Sequence, residues 1–414
     1  MKKLIPLLLS ILLLNACAQN LSASSTNIQN SDSVETIQED IETESKDKMI
    51  FSSGSLINGN QDGAYLVLTS SDFTSNLLYY VDYQTQQMVE LCNQPNCNHS
   101  SDSCTAWISN PANVPELAVT ENQLILIYPG NPYYIDKYGD EVLPKIQTRD
   151  LSGGTSKDII TFASNIELDN AYAIDQEHIY LLKEEVSRET IEMKKSLVSI
   201  DLKTGKEKII ISFDADSDET WFWVGVQENV FVFKKITVNT DSDNPEIRRL
   251  SQVHQLYTID KEGHVSDPIM AWKHLKGLEG SVDKNFFLLE DGTLQHILSN
   301  DKSKVIKDER FNPIDTNILA YSSPYLVFSS SVYRDENYDA PIWYCVNMDN
   351  QDIQELTNVT SLGQDSQFKI RAQSDSFFVA TFYEESSNSS MVVLIPKADF
   401  LTNQTNWKIL EVFS

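Results

Sequence analysis

The chain has 414 residues, with 60 acidic against 32 basic side chains and a formal charge of −28 at neutral pH. That balance excludes a nucleic-acid partner, whose capture rests on Lys and Arg neutralising phosphates, and it disfavours lying flat on an anionic membrane surface. Cationic partners, metal ions and neutral glycans stay open, as does plain solubility from an acidic surface.

The chain opens Met1-Lys2-Lys3, runs through an apolar stretch from Leu4 to Leu14, and reaches Asn15-Ala16-Cys17. A positive start, a short apolar run and a small residue before the cut are the requirements of a secretory signal. As a helix the apolar run spans only about 16 Å, against a bilayer core of about 30 Å, so it is no permanent membrane span. Leu14-Asn15-Ala16-Cys17 resembles the lipobox of bacterial lipoproteins. That resemblance implies residues 1–16 as signal peptide, a diacylglycerol on the Cys17 thiol, and a place on the outer face of the cytoplasmic membrane. Residues 17–49 read as a flexible tether: polar from Leu21 to Asn27, charged from Glu35 to Lys48, with too little apolar surface to offset ordering. Val34, Ile37 and Ile41 have helical spacing, but three aliphatics make a fraying helix at most.

From residue 50 to 414 one phrase recurs. Leu78-Tyr-Tyr-Val-Asp82, Leu197-Val-Ser-Ile-Asp201 and Leu256-Tyr-Thr-Ile-Asp260 each run from apolar residues into Asp and a tight turn. Ile146 to Asp150 and Ile342 to Asn347 are looser copies. Each reads as a strand entering a hairpin. A second strand precedes each phrase, as in Gly63-Ala-Tyr-Leu-Val-Leu68 and Gln123-Leu-Ile-Leu-Ile127. The units begin near residues 54, 115, 168, 220, 279, 316 and 369, a period of about 50 residues that suits blades of four antiparallel strands. The expected fold is all-β, a propeller of seven four-stranded blades. Unit five is degenerate, because Leu294 to Leu298 lacks the Asp, which leaves six or eight blades as alternatives. The units resemble those of TolB-type and tryptophan–aspartate-type propellers.

After the last strand of unit one comes Leu91-Cys92-Asn-Gln-Pro95-Asn-Cys97-Asn-His99, then Cys104. Cys92, Cys97, His99 and Cys104 form a complete soft ligand set for tetrahedral zinc. The alternative is a disulfide among the three cysteines, which an exported compartment permits; free or redox-active thiols are a third reading. Cys345 belongs to unit six, too far around the ring to pair with the cluster within about 7 Å. That leaves an odd local count, which favours the metal. In every version the cluster is structural, pinning a long loop between two blades. The cluster spacing, lipobox, tether and repeat plan together resemble TolB-like β-propeller lipoproteins of Gram-positive, clostridia-like bacteria. The resemblance implies an architecture and an anchor, and no activity.

Other candidates read as structural. Asp214-Ala-Asp216-Ser-Asp218-Glu219 has alternating carboxylates, but Glu219 stands where an EF-hand needs Gly and Gly225 where it needs Glu. Asp241 with Asp243, and Asp335 with Glu336, read as solvated loops. Trp221-Phe222-Trp223 and Trp343-Tyr344 offer sugar-stacking surfaces, yet alternating aromatics in strands more often fill space between blades. His178, His254, His264, His274 and His296 show no mutual metal spacing, and no nucleophile elbow or phosphate loop is present. The favoured expectation is a non-enzymatic, surface-anchored binding or scaffold module for an extracellular protein or glycan. The rivals are a carbohydrate-active hydrolase or lyase and a sensory or accessory subunit of a membrane complex.

Overall fold

The computed structural model divides the chain into Met1–Glu44 and Ser45–Ser414. It describes residues 49–413, except 54–56, 70–74, 110–113, 188–192, 214–217, 241, 274–276, 283–284, 291, 298–304, 312–315, 331–332, 335–336, 339–340, 361–367 and 385–388. The expected signal peptide, Cys17 and almost all of the expected tether therefore lie outside the described residues, as do His274, Asp335, Glu336, Asp241 and the run from Asp214 to Ser217.

Seven antiparallel sheets of four or five strands follow one another along the chain. Strand β1 (Ile50–Ser53) comes first, and blade 1 holds β2 (Ile57–Gly59), β3 (Gly63–Thr69), β4 (Ser75–Asp82), β5 (Gln87–Glu90) and β6 (Trp107–Ser109). Blade 2 has β7 (Glu116–Val119), β8 (Gln123–Tyr128), β9 (Lys145–Asp150) and β10 (Ser156–Thr161); blade 3 has β11 (Ile166–Ile174), β12 (His178–Val186), β13 (Met193–Asp201) and β14 (Glu207–Phe213). Blade 4 runs from Glu219 to Lys273, blade 5 from Gly277 to Lys307, blade 6 from Thr316 to Glu355 and blade 7 from Lys369 to Phe413. Inner strands of neighbouring blades touch along most of the ring, with β2 meeting β7 on one side and the first strand of blade 7 on the other. This is a seven-bladed β-propeller, with blade starts within a few residues of the expected ones.

The ring holds together because successive side chains of a strand point to opposite faces. In β8, Leu124 and Leu126 enter the core between blades 1 and 2, while Ile125 and Ile127 enter the core between blades 2 and 3. In blade 5, Phe286 and Leu288 face blade 4 while Phe287 and Leu289 face blade 6. Each seam between neighbouring blades thus carries its own apolar cluster, and inner strands read as continuous apolar runs rather than alternating ones.

The recurrent Asp has a local cause. Asp82, Asp150 and Asp201 end the third strand of blades 1 to 3 and Asp260 directly follows that of blade 4, and each side chain accepts backbone N–H bonds from the turn that follows. Such Asx turns close the hairpin without help from other residues. The glycine after the Asp faces the previous blade: Gly205 (φ +70°) lies against the Ile159 carbonyl and Gly153 (φ +73°) against that of Leu91, where a Cβ would collide.

Two features depart from a plain repeat. Among the described residues blade 7 draws all four strands from one segment, Lys369–Phe413. The first strand β1 instead adds to the inner edge of blade 3, pairing Ile50 with Ile174 and Ser53 with Ala171. Met49 is buried in the blade 3–4 core, and the Phe51 ring lies 5.1 Å from that of Trp223. Phe51 and Met49 anchor the entry of the chain into the fold.

Candidate metal centre

The cysteine–histidine segment is an insertion into the outermost strand of blade 1. Strands β5 and β6 pair with the same edge of β4, Glu90 opposite Tyr79 and Trp107 opposite Leu77. Between them the main chain of Leu78 serves both ends: Leu91 N–H donates to the Leu78 carbonyl (2.8 Å), and Leu78 N–H donates to the Ala106 carbonyl (2.9 Å). The strand continues across a gap, and everything from Cys92 to Thr105 loops out. Asn93 and Thr105 draw the neck together, with Asn93 N–H on the Thr105 hydroxyl at 3.3 Å and that hydroxyl on Asn93 Oδ1 at 3.4 Å.

Within the loop the ligand atoms of Cys92, Cys97, His99 and Cys104 all lie within 4.8 Å of one another. His99 Nδ1 is 3.2 Å from Cys104 Sγ. A tetrahedral zinc with Zn–S of about 2.3 Å and Zn–N of about 2.0 Å sets its ligands roughly 3.5–3.8 Å apart, so these residues fit the ion. The three sulfurs are not joined to one another. Cys104 is buried, and Cys92, Cys97 and His99 are half-buried at the rim.

Each sulfur also receives a backbone N–H from two residues on: Gln94 to Cys92 (3.5 Å), His99 to Cys97 (3.4 Å) and Ala106 to Cys104. Such donors favour sulfur that carries negative charge. At Cys92 burial pushes the thiol up, but bonds from Thr105, Gln94 and Cys104 outweigh it and bring the group down to about 6. Cys104 moves the other way, up to about 12, because burial and its contacts with Cys97 and Cys92 outweigh the Ala106 N–H. One low and one high thiol in contact is what crowded sulfurs do when protons must stand in for a cation. Asn96 (φ 60°) and His99 (φ 54°) take left-handed conformations. Asn tolerates this region; for His it is a local cost of about 1–3 kcal/mol that surrounding contacts must offset.

The loop is seated on blade 2. Arg149, itself buried, donates from Nη1 to the Thr105 carbonyl at 2.6 Å. Gly153 abuts Leu91 and Gly154 abuts Asn93, and Cys92, Cys97 and Leu151 join the apolar core of that seam. Four protein ligands leave a metal no open position, so the arrangement suits structure rather than catalysis. Thr105, Arg149, Gly153 and Gly154 are supporting residues that the motif alone did not single out.

The remaining candidates that lie among the described residues are placed as follows. Cys345 is buried in the core between blades 6 and 7, away from the cluster. Asp218 pairs with Arg248 (2.9 Å) and Glu219 with Lys235 (2.6 Å). Asn244 caps a short helix beside Asp243. Trp223 is buried with its Nε1 on the Gly225 carbonyl, and Trp221 packs on Phe213 and Tyr257. Trp343 packs edge-on against Phe368, and Tyr344 stacks on Phe328. Phe222 alone of the aromatic run is exposed. His178 meets Asp175, His264 meets Asp260, His254 lies by Trp272 and His296 stacks on Phe287. Among the described residues the Cys92–Cys104 set is the one grouping of this kind.

No protein-family model matches the sequence, and no curated protein matches it. Among solved structures the chain is similar to the β-propeller domain of the Trilobed protease from Pyrococcus furiosus, which has an open velcro topology. The TM-score is 0.50 at 11% identity, covering 89% of this chain and 99% of that one. It is also similar to a prolyl endopeptidase, from an analysis of two such enzymes (TM-score 0.51, 10% identity, 89% of this chain, 49% of that chain). An acylaminoacyl peptidase from Pyrococcus horikoshii gives a TM-score of 0.50 at 10% identity, with 87% of this chain and 52% of that chain. The chain spans about half the length of these peptidases. At such identities the likeness establishes the propeller fold, and the peptidase activity belongs to those proteins.

Proposed function

We propose that this chain is an exported, lipid-anchored lipoprotein whose propeller is an extracellular binding or scaffold module, with a structural zinc held by Cys92, Cys97, His99 and Cys104. The observation that carries the metal reading is the convergence of four ligand atoms within 4.8 Å, with a backbone N–H on each sulfur. When bound, the ion supplies charge that lets three thiolates share one site. The anchor rests on the run from Met1 to Cys17 and on the polar, acidic stretch that follows. Its Cys17 lipid joins the protein to the membrane, and the partner is an extracellular protein or glycan.

Metal analysis by mass spectrometry on protein purified without chelator, with thiol titration, tests the centre. About one zinc per chain, with three thiols shielded until the metal is stripped, is the expected result. Metal-free protein with two thiols lost to oxidation would replace the zinc with a disulfide. The anchor is tested by labelling with radioactive palmitate, which Cys17→Ala should abolish while releasing protein to the medium. For the binding role, capture profiles identical to those of blank beads would overturn it.

A further inference from the structure

A second site lies away from the metal loop, at one mouth of the ring. Three turns that follow first strands meet there: Asn60-Gln61 of blade 1, Ser322-Ser323 of blade 6 and Ser374-Asp375 of blade 7. They enclose an open cavity of about 400 Å³, at the small end of the roughly 300–1,000 Å³ usual for ligand pockets. Lys397, which enters from the end of the third strand of blade 7, lines it while only 8% exposed. Its ammonium is held in place by donation to Ser322 Oγ (2.9 Å) and by the Phe378 ring, whose centroid is 4.9 Å away. Gln373 is fixed beside it, its Nε2 donating to the Tyr321 carbonyl at 3.1 Å.

The chemistry of this lining is specific. The Lys397 ammonium lines the cavity together with hydroxyl and carboxamide groups and the Asp375 carboxylate, in a molecule whose overall charge is −28. An anion gains nothing from the long-range field here, so it must be recognised by contact. The lysine supplies charge-assisted donors for a carboxylate. Serine, asparagine and glutamine side chains supply both donors and acceptors, which suits hydroxyl groups. Asp375, exposed on the cavity rim, opposes a bare anion and favours a ligand that offers hydroxyls on that side. We infer that this cavity, where the inner turns of blades 1, 6 and 7 meet around Lys397, binds a small polyhydroxylated carboxylate of sugar-acid type. The inference deepens the reading of the propeller as a binding module. It is independent of the zinc and of the anchor, so its failure leaves those tests untouched.

Calorimetric titration of the intact chain with sodium D-glucuronate, and separately with D-glucose, tests it. Glucuronate should bind saturably and glucose at least about tenfold more weakly, the difference a charge-assisted bond supplies. Lys397→Met should remove that preference. Because Lys397 is buried, two rim variants keep the test decisive should the first fail to fold. Asp375→Asn should tighten glucuronate about two- to threefold and Gln61→Glu should weaken it by a similar factor. No saturable heat with glucuronate, equal binding of glucose, or rim variants that leave glucuronate unchanged would each overturn the assignment.

Discussion

Blade 1 is bounded by two seams built on different principles. Its seam with blade 7, where the ring closes, has no shared strand. Ala64, Leu66, Tyr79 and Val81 meet Val379, Val392 and Leu394, and the Tyr83 ring stacks on Phe377 at 5.8 Å. Burying each large apolar side chain contributes about 1.5–3 kcal/mol, so a cluster of this size offsets the lack of strand exchange. Its seam with blade 2 has an equivalent apolar core and carries the Cys92–Cys104 loop as well, tied across by Arg149 and the Gly153 turn. Closure rests on area alone, whereas the neighbouring seam holds a ligand set. A loop that splits an outer strand has no ladder of its own, so what orders it must come from within the loop or from the adjacent blade.

The largest expected effect breaks the second seam. Cys104→Ser removes the buried ligand, and structural zinc sites in small peptides contribute on the order of 10 kcal/mol of folding free energy. Here the propeller supplies the frame, so the loss should fall on the loop. Zinc content should drop to background and proteolysis should cut between Cys92 and Thr105, while the β-sheet circular dichroism stays near wild type. Global unfolding of the variant would show that the loop supports the whole ring.

Leu394→Ala acts on the closing seam instead. Leu394 is 1% exposed between blades 7 and 1, and truncating a buried leucine costs about 2–5 kcal/mol. Urea unfolding should shift cooperatively by that amount with zinc content unchanged. A shift below about 1 kcal/mol would mean that closure rests on something other than this core.

How far the sequence reached can be judged from the same two seams. The blades were legible because their signals are local: short apolar runs, and an Asp whose carboxylate closes its own turn. The expected starts near 115, 220, 316 and 369 meet strands that begin at Glu116, Glu219, Thr316 and Lys369. The ligand set was legible for the same reason, since four ligands lie within thirteen residues. What was not legible is non-local. Ile-Phe-Ser-Ser at β1 carries no mark that it pairs with blade 3 rather than with blade 1 or 7. Nor does Arg149 announce that it donates to a carbonyl 44 residues earlier.

Gly153→Ala sharpens the comparison at smaller scale. The residue is at φ +73° and its missing Cβ faces the Leu91 carbonyl, so alanine meets both backbone strain and a main-chain contact. A loss of about 1–2 kcal/mol is expected. It should be accompanied by faster zinc release to a chelator, because Leu91 is the first residue of the loop neck. Unchanged release with lowered stability would separate the turn from the metal loop.

The smallest effect concerns the repeated turn itself, through its dependence on pH. Asp201 is held below the usual carboxylate range by the Thr204 N–H and then by the Thr204 side chain. A depressed group stabilises the fold above its unfolded value, about 3.9, and that contribution disappears as pH falls through the folded value. Asp201→Asn keeps a side-chain oxygen to close the turn but removes the charge. The stability gap between wild type and variant should therefore be present at pH 6 and shrink toward zero as pH falls below about 4 and through the lowered folded value. Taking the difference matters, because acid also protonates the thiolates of the Cys92–Cys104 loop and strips any metal from both proteins alike. A gap that stays constant or widens in acid would place the role of Asp201 in the shape of its side chain rather than in its charge. The Asp of the repeat would then be a turn former that Asn replaces freely, as Asn347 already does in blade 6 by accepting the Asp349 N–H at 2.9 Å.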